Sequence, residues 1–273
     1  MSQPKENYSA KLRAKSMVYF VICIILTLIC LVPIYILIIN ATRKHVDIIS
    51  SVSFIPGSNL AANVKKLLND PMFQFDPFIG FKNSAIIAVG STVLSVFFSA
   101  LTAYGLVVYD FKLRGPAYTF ILVVMMVPMQ VTSVGFLQFM IKLGLSDSFI
   151  PLIVPTIAAP AIVFFMRQYL KSSFPLDIVE AARIDGCGEF RTFLTIAIPM
   201  MKPAIAVQAI FAFIQNWNNF YQPSMILVSR KFEQITMPMM INMLKSNDKI
   251  ADYGVIYAGI ALSIIPVVVI YLL

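Results

Sequence analysis

The chain has 273 residues, of which 59% are hydrophobic and only 12% charged; soluble domains carry about 25% charged residues. With a mean hydropathy of +0.84, this composition excludes an ordinary soluble domain and predicts an integral membrane protein in a lipid bilayer. The net charge of +8 does not point to nucleic acid, because the Lys and Arg sit at the edges of apolar runs, where bilayer proteins keep them.

Residues 1–16 are polar and basic, with Lys5, Lys11, Arg13 and Lys15, and read as a cytoplasmic N-terminal segment. A signal peptide fits poorly, since the following apolar run is too long and lacks a small-residue cleavage site. From residue 17 onward the pattern predicts a single six-span, all-α domain, 17–273. Uncharged stretches cover 16–42, 83–109, 115–141, 148–166, 203–229 and 253–273. A span needs about 20 apolar residues, so each stretch qualifies. The expected spans are 17–40, 83–109, 116–141, 148–168, 203–228 and 253–273. Six spans put both termini on one side. Basic flanks of the first span lean toward an inside N-terminus, with Lys11, Arg13 and Lys15 before it and Arg43 and Lys44 after it.

Between the first two spans, 43–82 reads as an outer segment, with a turn at Phe54-Ile55-Pro56-Gly57 and a short amphipathic helix near Asn63–Leu68. Pro33, Pro128, Pro155, Pro160 and Pro266 fall inside apolar runs and predict shaped spans, tolerated where neighbours re-satisfy the freed backbone. Gly90, Ser91, Ser95, Ser99, Ala100 and Ala103 suit close helix contacts. There is no obvious internal repeat.

The stretch Phe174–Pro203, FPLDIVEAARIDGCGEFRTFLTIAIPMMKP, is the longest charged interruption between apolar segments. Ser173 and Pro175 suit a helix start. Gly186 suits its left-handed stop, and a second helix should run to Ile198 before Pro199 disturbs it. On the residues alone this is either a solvated loop, with Glu180 and Arg183 as an i,i+3 pair, or a surface that touches a soluble partner.

Catalytic and metal-binding patterns are missing. No phosphate-binding glycine loop occurs, His45 is the single histidine and reads as structural or solvated, and no metal ligands cluster. Cys23, Cys30 and Cys187 have no metal spacing and read as free thiols. An enzyme is therefore a poor reading. The spans lack deep Asp, Glu or His, which a proton- or sodium-coupled carrier needs for its relay; a channel is not excluded by that argument.

Glu180-Ala181-Ala182, Asp185-Gly186 and Ile198-Pro199 together resemble the EAA motif of the membrane subunits of bacterial ATP-binding-cassette (ABC) importers. EAARIDG and Asn216-Trp217-Asn218-Asn219-Phe220 resemble, more narrowly, the maltose-type carbohydrate permeases. The likeness runs from about Asn83 to the end of the chain. It implies the type I importer permease fold, with 171–202 as the cytoplasmic coupling loop and Glu180, Ala181, Ala182, Asp185 and Gly186 as its ATPase-coupling residues. It implies a bacterial inner (cytoplasmic) membrane location with the N-terminus inside. The implied partners are a second related permease, two cytoplasmic ATPase subunits that bind ATP and Mg, and an extracytoplasmic sugar-binding protein. No cofactor is expected in this chain. Family members continue into a short basic tail, so the apolar end at Leu273 is expected to fall short of theirs.

The implied cargo is a sugar or oligosaccharide; the alternatives are an importer for a non-sugar solute, a secondary transporter or a channel. Gln215, Asn216, Trp217 and Asn219 are candidates for the substrate path, since amides and an aromatic face bind neutral sugars; interhelical hydrogen bonding is the competing role. Met125, Met126, Met129 and Gln130 are weaker candidates for the same path. Between the last two spans, Met237, Pro238, Met239, Met240 and Asn242 are expected either to contact the binding protein, as the resemblance implies, or to form a cover over the spans. Methionines suit an adaptable contact.

Overall fold

A computed structural model describes residues 5–246 and 252–272, with side chains from Lys11 onward. Residues 1–4 of the N-terminal segment, 247–251 between the last two expected spans and Leu273 lie outside the described residues. The described residues are helices and connecting turns with no strand. Backbone polar groups in a bilayer must be satisfied within the chain, and helices do this segment by segment.

Four helical stretches are long and apolar enough to cross a membrane: Lys11–Ala41, Pro71–Val108, Ile150–Ser173 and Tyr253–Leu272. Two more candidates are bent pairs, Arg114–Met125 with Met129–Lys142 at 94° and Glu189–Met200 with Lys202–Trp217 at 80°. The protein is a multi-pass membrane chain. The uninterrupted span expected over 116–141 is instead broken around Val127-Pro128, where the proline disfavours helical backbone at the residue before it.

The chain divides into two units. The first holds residues 1–75 and 244–264, with helices α1 (Lys5–Ala41), α2 (His45–Ser50) and α3 (Leu60–Asn69) and the start of a later helix, Tyr253–Leu272. Along α1, Met17, Phe20, Leu28 and Ile29 are exposed, a surface that requires an apolar environment. The α1–α3 turn is fixed by polar groups. Buried Arg43 donates to the carbonyls of Asp47 at 2.7 Å and Ser51 at 2.9 Å. Asn63 donates to the carbonyls of Ala41 and Arg43. Gly254 sits against this knot; a Cβ there would lie 2.5 Å from the Arg43 carbonyl oxygen, so glycine is needed for close approach. His45 Nδ1 accepts the Tyr253 N–H at 3.1 Å and its ring stacks on Tyr253, a structural role at a helix start.

The second unit holds residues 76–243 and 265–273. Its central element is α4 (Pro77–Val108), started by Asp76, whose carboxylate accepts the N–H groups of Phe78 and Ile79. After it come α5 (Arg114–Met125), α6 (Met129–Lys142) and α7 (Ile150–Ile153), then a 3-10 turn at Val154–Ile157 and α8 (Pro160–Ser173). Next are α9 (Asp177–Ile184), α10 (Glu189–Thr192), a π-helical stretch at Phe193–Ala197 and α11 (Ile198–Met200). The last are α12 (Lys202–Trp217), α13 (Tyr221–Ile226), α14 (Met237–Ser246) and α15 (Tyr253–Leu272); α14 and α15 each run across a unit boundary.

Small residues let α4 pack closely against α8 and α12. Ser91, Ser95, Ser99, Ala100 and Ala103 are buried. The serines also satisfy broken backbone. From α7 into the start of α8 the chain forms an elbow carrying Pro151, Pro155 and Pro160, and proline removes donors from the helical ladder. Ser91 Oγ donates to the Leu152 carbonyl at 3.1 Å, and Ser99 Oγ to that of Ala159 at 3.4 Å. In return Thr156 Oγ1 donates to the Ser91 carbonyl at 3.2 Å.

Candidate functional site

The first candidate region is the turn from α9 to α10. Val179 and Ala182 are buried on one side of α9, where Val179 joins a cluster with Tyr104, Phe174 and Phe193. The opposite side is open, and Glu180, Ala181 and Asp185 are exposed. Ile184 is 86% exposed and Phe190 59%. A charged surface with large apolar side chains pointing outward is suited to a protein contact. Gly186 has φ +75°. Its N–H donates to the Arg183 carbonyl and the Cys187 N–H to that of Ala182, a Schellman stop. A Cβ at Gly186 would meet nothing within 4 Å, so backbone conformation, not space, requires glycine.

The i,i+3 pair of Glu180 with Arg183 is not formed. Arg183 Nε instead donates to Glu189 Oε1 at 2.7 Å, and this bond raises the guanidinium pKa. Folding back across the turn brings these two together, whereas helical spacing alone aims Arg183 at Glu180. Glu180 has no ion pair among the described residues.

The second region is a cavity of about 300 Å³ at the elbow, lined by Ser95, Thr156, Gln215, Asn216, Asn219 and Gln222 together with apolar groups. An adjoining cavity of about 240 Å³ shares Met129, Pro155 and Gln222 and adds Ser133. No charged side chain lines either one. Asn219 Nδ2 donates to Gln222 Oε1 at 2.7 Å, and the Gln222 N–H donates to Asn219 Oδ1 at 3.2 Å. Asn216 Nδ2 donates to the Ala212 carbonyl. Three of the four expected path residues therefore share one cavity. Trp217 does not. It is 3% exposed and stacks between Phe81 and Phe213, with ring centroids 6.1 and 5.7 Å away, so its ring packs in the core and does not line the cavity. Of the weaker candidates only Met129 lines the cavities; Met125, Met126 and Gln130 are exposed elsewhere. Sequence reasoning missed Gln222, Thr156, Ser95 and Ser133. For Gln222 the available signal was its i+3 spacing from Asn219.

Residues 95–273 match the family model described as "Binding-protein-dependent transport system inner membrane component". The chain belongs to this family. The arabinooligosaccharides transport system permease protein AraQ of Bacillus subtilis (strain 168) is 35% identical over 252 residues, covering 90% of this chain and 86% of that protein. The lactose transport system permease protein LacG of Rhizobium radiobacter is 32% identical over 198 residues, covering 72% and 71%. A crystal structure of a bacterial ABC transporter involved in the import of the acidic polysaccharide alginate has a chain of the same fold. Its TM-score is 0.77 at 23% identity, covering 99% of this chain and 97% of that one.

In this binding-protein-dependent permease the segment before α14 is anchored inward. The Met237 N–H donates to Ser84 Oγ at 2.9 Å, and Asn83 donates to the carbonyls of Glu233 and Ile235. Met237, Met239 and Met240 are buried, Pro238 is half-buried and Asn242 is exposed. Of the two expected roles, burial of the three methionines agrees with the cover over the spans; Gly80, over which Met237 and Met240 lie, makes room for them. The Asp147 carboxylate accepts the Ser229 N–H at 2.8 Å, which holds its pKa below the usual carboxylate value.

Proposed function

We propose that the chain is one permease subunit of an ABC importer, forming with a second, related permease the path for a sugar or oligosaccharide. In this reading each bent helix pair counts as one span, giving six. The α9–α10 turn is the coupling element, with Glu180, Ala181, Ala182, Asp185 and Gly186 presented to a cytoplasmic ATPase subunit. ATP and Mg are held by two such partners, and an extracytoplasmic binding protein delivers the cargo. The chain lies in the inner membrane with its N-terminus in the cytoplasm.

The observation that carries this reading is the outward face of the turn: exposed Glu180 and Ile184 over a buried aromatic base. A carbohydrate cargo is supported by the amide-rich, uncharged lining of the cavity and by the names of the relatives in Bacillus subtilis and Rhizobium radiobacter. A buried, unpaired anion is expensive, so this lining suits a neutral solute. Delivery by a binding protein falls to the exposed parts of the segment before α15, Asn242 and Lys245, not to the buried methionines.

Topology provides the test. Ser58→Cys and Asp185→Cys are exposed positions on opposite sides in this arrangement. In intact cells an impermeant maleimide should label position 58 and spare position 185 until the membrane is opened. Labelling of 185 with protection of 58 would reverse the orientation and remove the coupling role.

A further inference from the structure

We propose that Tyr109, Glu189 and Arg183 form a clasp that fixes the α9–α10 turn to α4, making α4 the rod that carries movement of the turn to the cavity wall. The proposal rests on the coupling reading above. Glu189 is its centre. One carboxylate oxygen accepts from Arg183 Nε at 2.7 Å, and the other accepts the Tyr109 hydroxyl at 2.7 Å. The Arg183 guanidinium also lies 5.7 Å from the Tyr109 ring centroid, within cation–π range. Tyr109 directly follows α4. Its ring meets Tyr104 edge-on at 6.1 Å, and Tyr104 touches Phe174 and Phe193 on either side of the turn. Polar bonds and aromatic packing thus both join the turn to the end of α4.

At its middle, α4 holds the elbow. The Ser91–Leu152, Thr156–Ser91 and Ser99–Ala159 bonds tie it to proline-broken backbone. That backbone, with Ser95 of α4, supplies much of the cavity lining. Displacement of the turn along or about α4 therefore acts on groups that face the cavity. Glu189 and Tyr109 are positioning residues: they touch no cargo and act through α4. The test reads movement at the far end of α4 directly.

The complex is assembled with its partner permease and ATPase subunits, with Cys23, Cys30 and Cys187 replaced by serine. Ala158→Cys, which lines the cavity, is the reporter. Its modification rate by a methanethiosulfonate reagent is measured with and without a non-hydrolysable ATP analogue. In the parent the analogue should change this rate severalfold. Tyr109→Phe keeps the ring and loses only the hydroxyl; Glu189→Gln keeps the shape and loses the charge. In each the change should shrink to less than half, with full co-purification of the ATPase subunits. An undiminished change in both variants, or no change in the parent, overturns the proposal. Loss of co-purification in both also overturns it, because the clasp would then hold the docking surface and not transmit its movement. Glu180→Lys separates the two readings. If it leaves the change intact, the turn does not couple and both readings fail. If it abolishes the change while neither Tyr109→Phe nor Glu189→Gln reduces it, the clasp alone fails.

Discussion

Glu180→Lys and Gly186→Pro should each abolish sugar uptake while the subunit still inserts and accumulates. Glu180 stands exposed on α9 without an ion pair among the described residues, so its reversal breaks no ion pair and costs the chain only the small dipole term of a first-turn carboxylate. Its cost appears on docking. A buried charge pair that loses one partner is destabilised by about 3–5 kcal/mol, roughly a hundredfold or more in binding. Gly186→Pro acts differently. Proline fixes φ near −65°, whereas the turn requires +75°, and it removes the N–H that bonds the Arg183 carbonyl. Gly186→Ala is the graded control: space is free for the Cβ, so only the left-handed backbone is penalised, by about 1–2 kcal/mol. Uptake, co-purification with the ATPase and membrane content are measured together. Wild-type uptake in Glu180→Lys would return this stretch to a solvated loop.

The second large effect separates two neighbours in sequence. Trp217→Ala should destabilise the chain by about 3–5 kcal/mol, the usual cost of truncating a buried aromatic, because its ring fills the space between Phe81 and Phe213. Gln222→Ala should leave thermal stability in detergent nearly unchanged and lower uptake about tenfold, the equivalent of about 1.4 kcal/mol. Gln222 lines both cavities and is oriented by Asn219, so its loss removes groove-facing amide without opening a core. Thermal unfolding and uptake on the same preparations decide this. A stable Trp217→Ala with defective uptake would restore the tryptophan to the path and contradict the placement.

Much of the architecture is legible in the sequence because charge is excluded from apolar helices in a bilayer. Each uncharged stretch overlaps a long apolar helix or a bent pair, although the Glu189–Met200 half of the second pair lies in the charged interruption, and Gly186 marks the stop of α9. The legible features are local. What could not be read depends on which face of a helix meets which neighbour. Trp217 lies amid amides in sequence, yet its ring packs between Phe81 and Phe213, while Asn219 reaches the cavity from beyond the end of α12. Arg183 finds Glu189 across a turn and not Glu180 along the helix. Methionines 237, 239 and 240 look like an adaptable surface until Gly80, about 150 positions earlier, opens room for them. The break before Met129 was suggested by Pro128, but its 94° angle depends on packing that no local pattern encodes.

The central claim is that the α9–α10 turn docks an ATPase. Ile184, 86% exposed at its tip, is the position at which to test it. A photo-crosslinking amino acid placed there should, on illumination of intact cells, capture the ATPase subunit of the same transporter, identified by mass spectrometry, and the yield should fall when Glu180→Lys is added. Crosslinks only to lipid or to extracytoplasmic proteins, with uptake intact, would contradict the account.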